Sequence, residues 1–205
     1  MKLEDSLVRY EGNFSRLTEV KGYLVNFIAD ILKDTQHIDS ITGRVKSIKS
    51  FSEKAQKEVE GKLKYSDPLI QIQDQIGVRI IVFYKSDIET ITQKILTYFT
   101  EIEQKRHIPD DPSKFNYEAV HLILAIPDDY RNQKLEPEEC PEFFELQIHT
   151  LFQHALAEAG HNLSYKPSSP IDDEQERKVA FVAAQAWGAD LIFNELIQSL
   201  GSKEQ

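Results

Sequence analysis

Residues 74–84 read DQIGVRIIVFY, and this stretch decides the fold class. Ile76, Val78, Ile80, Ile81, Val82 and Phe83 are apolar and mostly β-branched on both alternating faces, as a central strand covered on both sides requires. Upstream, Asp67-Pro68 sets a helix start, Asp67 as cap and Pro68 in the first turn, so a short helix is expected over 69–73. Downstream, 86–100 returns to helical spacing through Ile88, Ile91, Ile95, Leu96 and Phe99. Residues 117–126 alternate again, with Val120, Leu122, Leu124 and Ile126 on one face, and 143–148 reads as a further strand followed by a helix over 151–163.

The flanks are helical. Leu7, Tyr10, Phe14, Leu17, Val20, Leu24, Phe27, Ile28 and Ile31 recur at steps of three and four, which predicts one long amphipathic helix in the region 1–35. After the break PSSPIDD (167–173), a second long helix is expected over 174–200. Residues 37–45 are β-prone, 47–59 favours a helix, and the acidic, turn-rich 127–141 reads as a loop excursion. Helices flanking a few central strands define an α/β (α+β) chain of one domain over 1–205, with terminal helices able to pack on one another.

The chain has 205 residues, 40% of them apolar and 28% charged, enough to bury a core without a disulfide or metal staple. This excludes disordered and collagenous classes. Cys140, the single cysteine, forms no internal disulfide, the opening MKLEDSLVRY has no apolar signal region, and no apolar run is long enough to span a bilayer. A cytoplasmic address without membrane contact is expected. The net charge of −10 argues against a surface built throughout for nucleic acid, yet residues 43–64 carry seven bases against three acids. A local cationic strip on an acidic body suits a small polyanion.

Asp74 stands just before the central strand and Glu145 lies within another. Two carboxylates presented by one sheet are a usual way to hold Mg²⁺ while leaving positions for a triphosphate, although an acid near a strand end also serves as a cap or a solvated group. In Arg44-x-Lys46-x-x-x-Ser50-x-x-x-Lys54 the last three positions repeat every four residues and are expected along one helical face, either gripping phosphates or as an exposed stripe. Phe115, Tyr117 and His121 surround a strand start, where an aromatic ring stacks on a base or joins the core. His149, His154 and His161 lack paired zinc spacing and read as satisfied polar histidines.

Five segments in order carry a resemblance: GRVKSIKSFSEK (43–54), IQDQIGVRI (72–80), NYEAVH (116–121), ELQIHT (145–150) and HNLSYK (161–166). Together they resemble the synthetase domain of RelA/SpoT homologues, of the small alarmone synthetase type, with a motif-bearing core over 43–166 and helical flanks over 1–35 and 173–201. The resemblance implies a nucleotidyltransferase-like mixed sheet and transfer of pyrophosphate from ATP to the 3′-hydroxyl of GDP or GTP, with Mg²⁺ as cofactor. It implies that Arg44 and Arg79 sandwich adenine, that Lys46, Ser50 and Lys54 contact the ATP phosphates, and that Asp74 holds Mg²⁺. Glu145 becomes the second carboxylate, metal ligand or base, and Tyr117 stacks on the acceptor base with His121 and Gln147 nearby. Departures from the family pattern at Phe115, Ala119, His149 and Gly160 cluster on the acceptor side. The alternatives are a toxic relative modifying an adenosine nucleotide or the tRNA 3′ end, and an inactive nucleotide-binding module. A homo-oligomer and a neutralising partner protein stay open, while alarmone hydrolysis and ribosome sensing are not expected.

Overall fold

The computed structural model describes residues 3–107, 119–134, 141–165 and 172–201. Its elements are α1 (Leu3–Gly12), α2 (Phe14–Leu32), β1 (Ile38–Val45), α3 (Ile48–Ala55), β2 (Glu58–Val59), β3 (Lys62–Leu63), α4 (Pro68–Gln71), β4 (Ile76–Val82), α5 (Lys85–Leu96), β5 (Glu101–His107), β6 (Ala119–Ala125), α6 (Asp128–Lys134), β7 (Phe143–Thr150), α7 (Leu151–Tyr165) and α8 (Asp173–Gly201). Five strands form one mixed sheet in the order β1-β4-β7-β6-β5, with β4 and β7 parallel and the other pairs antiparallel.

The side-chain alternation of strands divides this sheet into two unlike faces. On one, Val78, Ile80 and Val82 of β4, Phe144, Leu146 and Ile148 of β7 and Leu122 and Leu124 of β6 join a core with Leu17, Val20, Leu24 and Ile28 of α2 and Ile91 and Ile95 of α5. The apolar spacing of α2 and α5 thus turns one stripe of each helix onto the sheet. Gly43 permits the close approach of α2 to β1, because a Cβ there would stand 2.6 Å from Val25 Cγ2. The opposite face carries Thr42 and Arg44 on β1, Gly77 and Arg79 on β4, Glu145, Gln147 and His149 on β7, and His121 on β6, aligned by register: Arg44 opposite Gly77, Gly77 opposite Glu145, Arg79 opposite Gln147 and Gln147 opposite His121.

Several expectations change. The N-terminal helix is two helices, because Gly12-Asn13 combines two weak helix formers and Asn13 sits at φ −90, ψ 1. The helix after β1 stops at Ala55, and a β2–β3 hairpin follows around Glu60 and Gly61, both with positive φ (52 and 75). Asp67 makes no side-chain cap at α4, whereas Gln71 Oε1 accepts the Asp67 N–H at 2.9 Å. Within 127–141, α6 replaces part of the expected loop. The edge strand β5 was not foreseen in EIEQKRH, whose composition shows no apolar face. Finally, α8 packs on α5 and α7, while α1 packs on α2, α3 and α4, so the terminal helices bind different layers rather than chiefly one another.

Candidate active site

Lys46 follows the end of β1, and its N–H donates to Gln75 O at 2.8 Å, extending the β1–β4 ladder by one residue. The helix begins only after Ser47, whose Oγ accepts the Ser50 N–H at 3.1 Å as an N-cap. Lys46 therefore does not share a helical face with Ser50 and Lys54, contrary to the spacing argument. It converges with Lys54 by another route. Lys46 Nζ lies 2.8 Å from Asp74 Oδ2 and Lys54 Nζ 3.0 Å from Oδ1. Ser50 stays at the first turn of α3, its Oγ accepting from Ser47 Oγ at 2.9 Å.

Burial raises the Asp74 carboxyl, but the hydrogen bond and charge of Lys46 and the charge of Lys54 outweigh it and hold the group below the usual carboxylate range. Asp74 Oδ1 is buried and makes no hydrogen bond of good geometry, so Lys54 pairs with it by charge.

On the adjoining strands a polar chain runs across the sheet. His121 Nδ1 lies 3.0 Å from Glu145 Oε1, and Gln147 Nε2 donates to Glu145 Oε2 at 2.8 Å. Gln147 Oε1 in turn accepts from Arg79 Nε and Nη2, both at 3.2 Å. Arg79 Nη1 donates to His154 Nδ1 at 3.1 Å and to Glu158 Oε1 at 2.5 Å. An arginine cannot accept, so the His154 proton sits on Nε2. Burial raises Glu145, yet the hydrogen bond and charge of His121 and the Gln147 amide bring it below the carboxylate range against an upward push from the Asp74 charge. The strand register is consistent with that push, since Gly77, the partner of Glu145, lies three residues beyond Asp74.

Between the two arginines lies a cavity of about 260 Å³ lined by Thr42, Gly43, Arg44, Gly77, Val78, Arg79, Gln147 and Glu158. Gly77 contributes no side chain, and Arg44 lies over it, a Cβ there being 3.8 Å from Arg44 Cγ. His149 is fully buried beside His121, ring centroids 6.1 Å apart, and burial with the charges of Arg79, His121 and His154 pushes it down to about 3. It is neutral at physiological pH.

Of the residues singled out in the sequence, Asp74, Lys46 and Lys54 form one cluster, Glu145, His121, Gln147 and Arg79 a second beside it, and Arg44 walls the cavity. Tyr117 and Phe115 lie outside the described residues. Glu158 and the role of His154 were missed, although His-x-x-x-Glu on a helix puts both on one face. Among the described residues no three His, Cys, Asp or Glu side chains group as a metal cage. Nor is any helix there long and apolar enough to cross a membrane.

A mixed sheet with one face given to the core and the other to cations, paired carboxylates and a ring-sized cavity defines a nucleotide-handling α/β transferase. The chain belongs to the RelA/SpoT family, whose model, described as a region found in RelA / SpoT proteins, matches residues 43–169. It is 28% identical over 168 residues to the GTP pyrophosphokinase YjbM of Bacillus subtilis (strain 168), covering 80% of this chain and 74% of that one. Its fold matches the crystal structure of small alarmone synthetase 1 from Bacillus subtilis with a TM-score of 0.74 at 25% identity over 97% of both chains. The same enzyme bound to its product pppGpp matches with a TM-score of 0.71 at 25% identity over 96% of both.

Proposed function

We propose that this protein is a pyrophosphokinase that transfers the β,γ-pyrophosphate of ATP to the 3′-hydroxyl of GDP or GTP, making (p)ppGpp. The observation that carries this reading is the convergence of Lys46 and Lys54 on Asp74 beside the Glu145–His121 pair, within a chain of the RelA/SpoT family. In the transfer the 3′-oxygen bonds to the β-phosphorus, the bond from that phosphorus to the oxygen shared with the α-phosphate breaks, and AMP leaves. Glu145, ionised at neutral pH, takes the hydroxyl proton, and His121 orients the carboxylate through Oε1. Lys46 and Lys54, now paired with Asp74, turn to the triphosphate and offset its charge, with Ser50 at the start of α3 beside them. The Arg44–Arg79 cavity takes the donor base, a flat ring between guanidinium groups, with Arg79 already held by Gln147, His154 and Glu158. Tyr117 is assigned to the acceptor base, with His121 and Gln147 near the acceptor.

Asp74 and Glu145 fit Mg²⁺, since both are oxygen donors held below the ordinary carboxylate range and therefore ionised at neutral pH. Bound there, the ion supplies charge neutralisation on the phosphates. These substrates belong to the cytoplasm, which supports that address. A different acceptor is favoured by one feature: Lys57, Lys62 and Lys64 cluster exposed on the β2–β3 hairpin, where Lys64 N–H donates to Lys57 O at 2.8 Å, and this patch would suit the tRNA 3′ end. A second copy of the chain would cover the apolar residues that α8 leaves exposed, among them Phe181, Trp187, Phe193 and Leu196, and light scattering reads that association.

The test is purified protein with labelled ATP, Mg²⁺ and, in parallel, GDP, GTP, an adenosine nucleotide or tRNA, with mass analysis of the product. A guanine nucleotide gaining a 3′-pyrophosphate supports the reading, as does its loss on chelation and return with Mg²⁺. Transfer only to another acceptor, or none at all, overturns it.

A further inference from the structure

The groups assigned above lie between β1 and α7, yet the lysine pair is held from outside that span by α1. Tyr10 is buried, 1% exposed, and donates its hydroxyl hydrogen to Lys46 O at 2.7 Å. Its ring stacks on Phe51 with centroids 3.8 Å apart and planes 3° from parallel. Phe51 belongs to α3, fully buried, three residues before Lys54. One side chain thus grips both arms of the ridge, the strand end through a hydrogen bond and the helix through its ring.

The grip on Lys46 is two-sided. Its N–H is tied to Gln75 O, next to Asp74, and its C=O to Tyr10, so both peptide planes that set the direction of the side chain are fixed before Nζ reaches Asp74. The stack with Phe51 fixes the rotation of α3, which aims Lys54 at the other oxygen of the same carboxylate. A phenylalanine at position 10 would fill the core equally well, and the hydroxyl adds a bond to the backbone of a site residue. That hydroxyl keeps its proton, because burial and the charge of Asp74 both raise it.

We propose that Tyr10 is a positioning residue of the donor-phosphate site, its hydroxyl and ring holding Lys46 and Lys54 in place around Asp74, so that the N-terminal helix is a working part of a site to which it gives no phosphate-binding group. The proposal rests on the assignment of these lysines to the ATP phosphates. With the Lys46 backbone and the rotation of α3 set in advance, only the two side-chain ends turn from Asp74 when a triphosphate arrives, which is where the contribution to binding arises.

The experiment compares wild type, Tyr10→Phe and Phe51→Leu, each first shown to be folded by circular dichroism. Tyr10→Phe keeps the ring and removes the bond to Lys46 O. Its KM for ATP should rise about three- to tenfold, the range that the net worth of one such hydrogen bond converts to, with KM for the guanine acceptor unchanged. Phe51→Leu loosens Lys54 instead and should raise the ATP KM while leaving the acceptor KM alone. A purely structural role predicts lower thermal stability with both KM values at wild-type level in folded enzyme, and that result overturns the proposal. Calorimetric titration with ATP and Mg²⁺ separates the two readings. Wild type that binds ATP but transfers nothing refutes the function while the Kd of Tyr10→Phe still decides the positioning role, and wild type that binds no ATP refutes both.

Discussion

Acidification should destabilise this protein through His149 before its lowered carboxylates are reached. The imidazole is fully buried on the polar sheet face, opposite Ile81 of β4, and is held down to about 3 from the ordinary 6.5. A base whose folded pKa lies below its unfolded one is neutral in the fold, while the unfolded chain takes up a proton as pH falls through 6.5. Its contribution is therefore complete above that value and declines as pH drops toward 3. From these two values the folding equilibrium constant falls about tenfold at pH 5.5 and about thirtyfold at pH 5, roughly 2 kcal/mol. Asp74 and Glu145, lowered from ordinary values of 3.8 and 4.5, lose their stabilising effect only at more acid pH. Urea denaturation at half-unit steps from pH 7.5 to 5 measures the slope, for wild type and for His149→Phe, which keeps a ring beside His121 but cannot titrate. Each protein is referred to its own stability at pH 7.5, so loss of packing in the variant does not enter. The variant should be flatter by about the amounts above. Equal slopes would refute the reasoning.

Asp74→Asn and Glu145→Gln should each lower pyrophosphate transfer at least about a hundredfold without unfolding the chain, as loss of a preorganised charged group at a phosphoryl-transfer site does; activity surviving in both would refute the catalytic assignment of the two carboxylates. Gly43→Ala places a methyl group 2.6 Å from Val25 Cγ2, and urea denaturation should show a loss of about 1–3 kcal/mol from displacing α2. Glu158→Ala removes one of the groups that hold Arg79, so steady-state kinetics should show a higher KM for ATP with a smaller change in kcat.

The strand β4 was legible because its apolar run is long and β-branched, which set Asp74 just before it, while Arg79 within it was marked only by the family resemblance. Glu145 was legible as a polar position within the alternating strand β7. What escaped reading was set by partners distant in sequence. The convergence of Lys46 and Lys54 on Asp74 arises from a ladder bond to Gln75 and a helix that begins only at Ile48, and neither is a property of the basic motif itself. The β5 strand has no apolar alternation because it lies at the sheet edge, where pairing with β6 alone defines it. Glu158 acquires its place only when α7 folds back over β4 and β7. Tyr10 shows the same limit: periodicity puts it in the core, while its hydroxyl bond spans 36 residues.

The parallel pairing of β4 with β7 sets Gly77 beside Glu145 and Arg79 beside Gln147, rows that have meaning only in that alignment. A slip by one residue would turn Glu145 and Gln147 inward among the side chains around Ile91 and send Leu146 and Ile148 out to water. Misassembled copies are thus both inert and strongly disfavoured. Because one alignment sets both the core and the polar face, a half-correct form has neither.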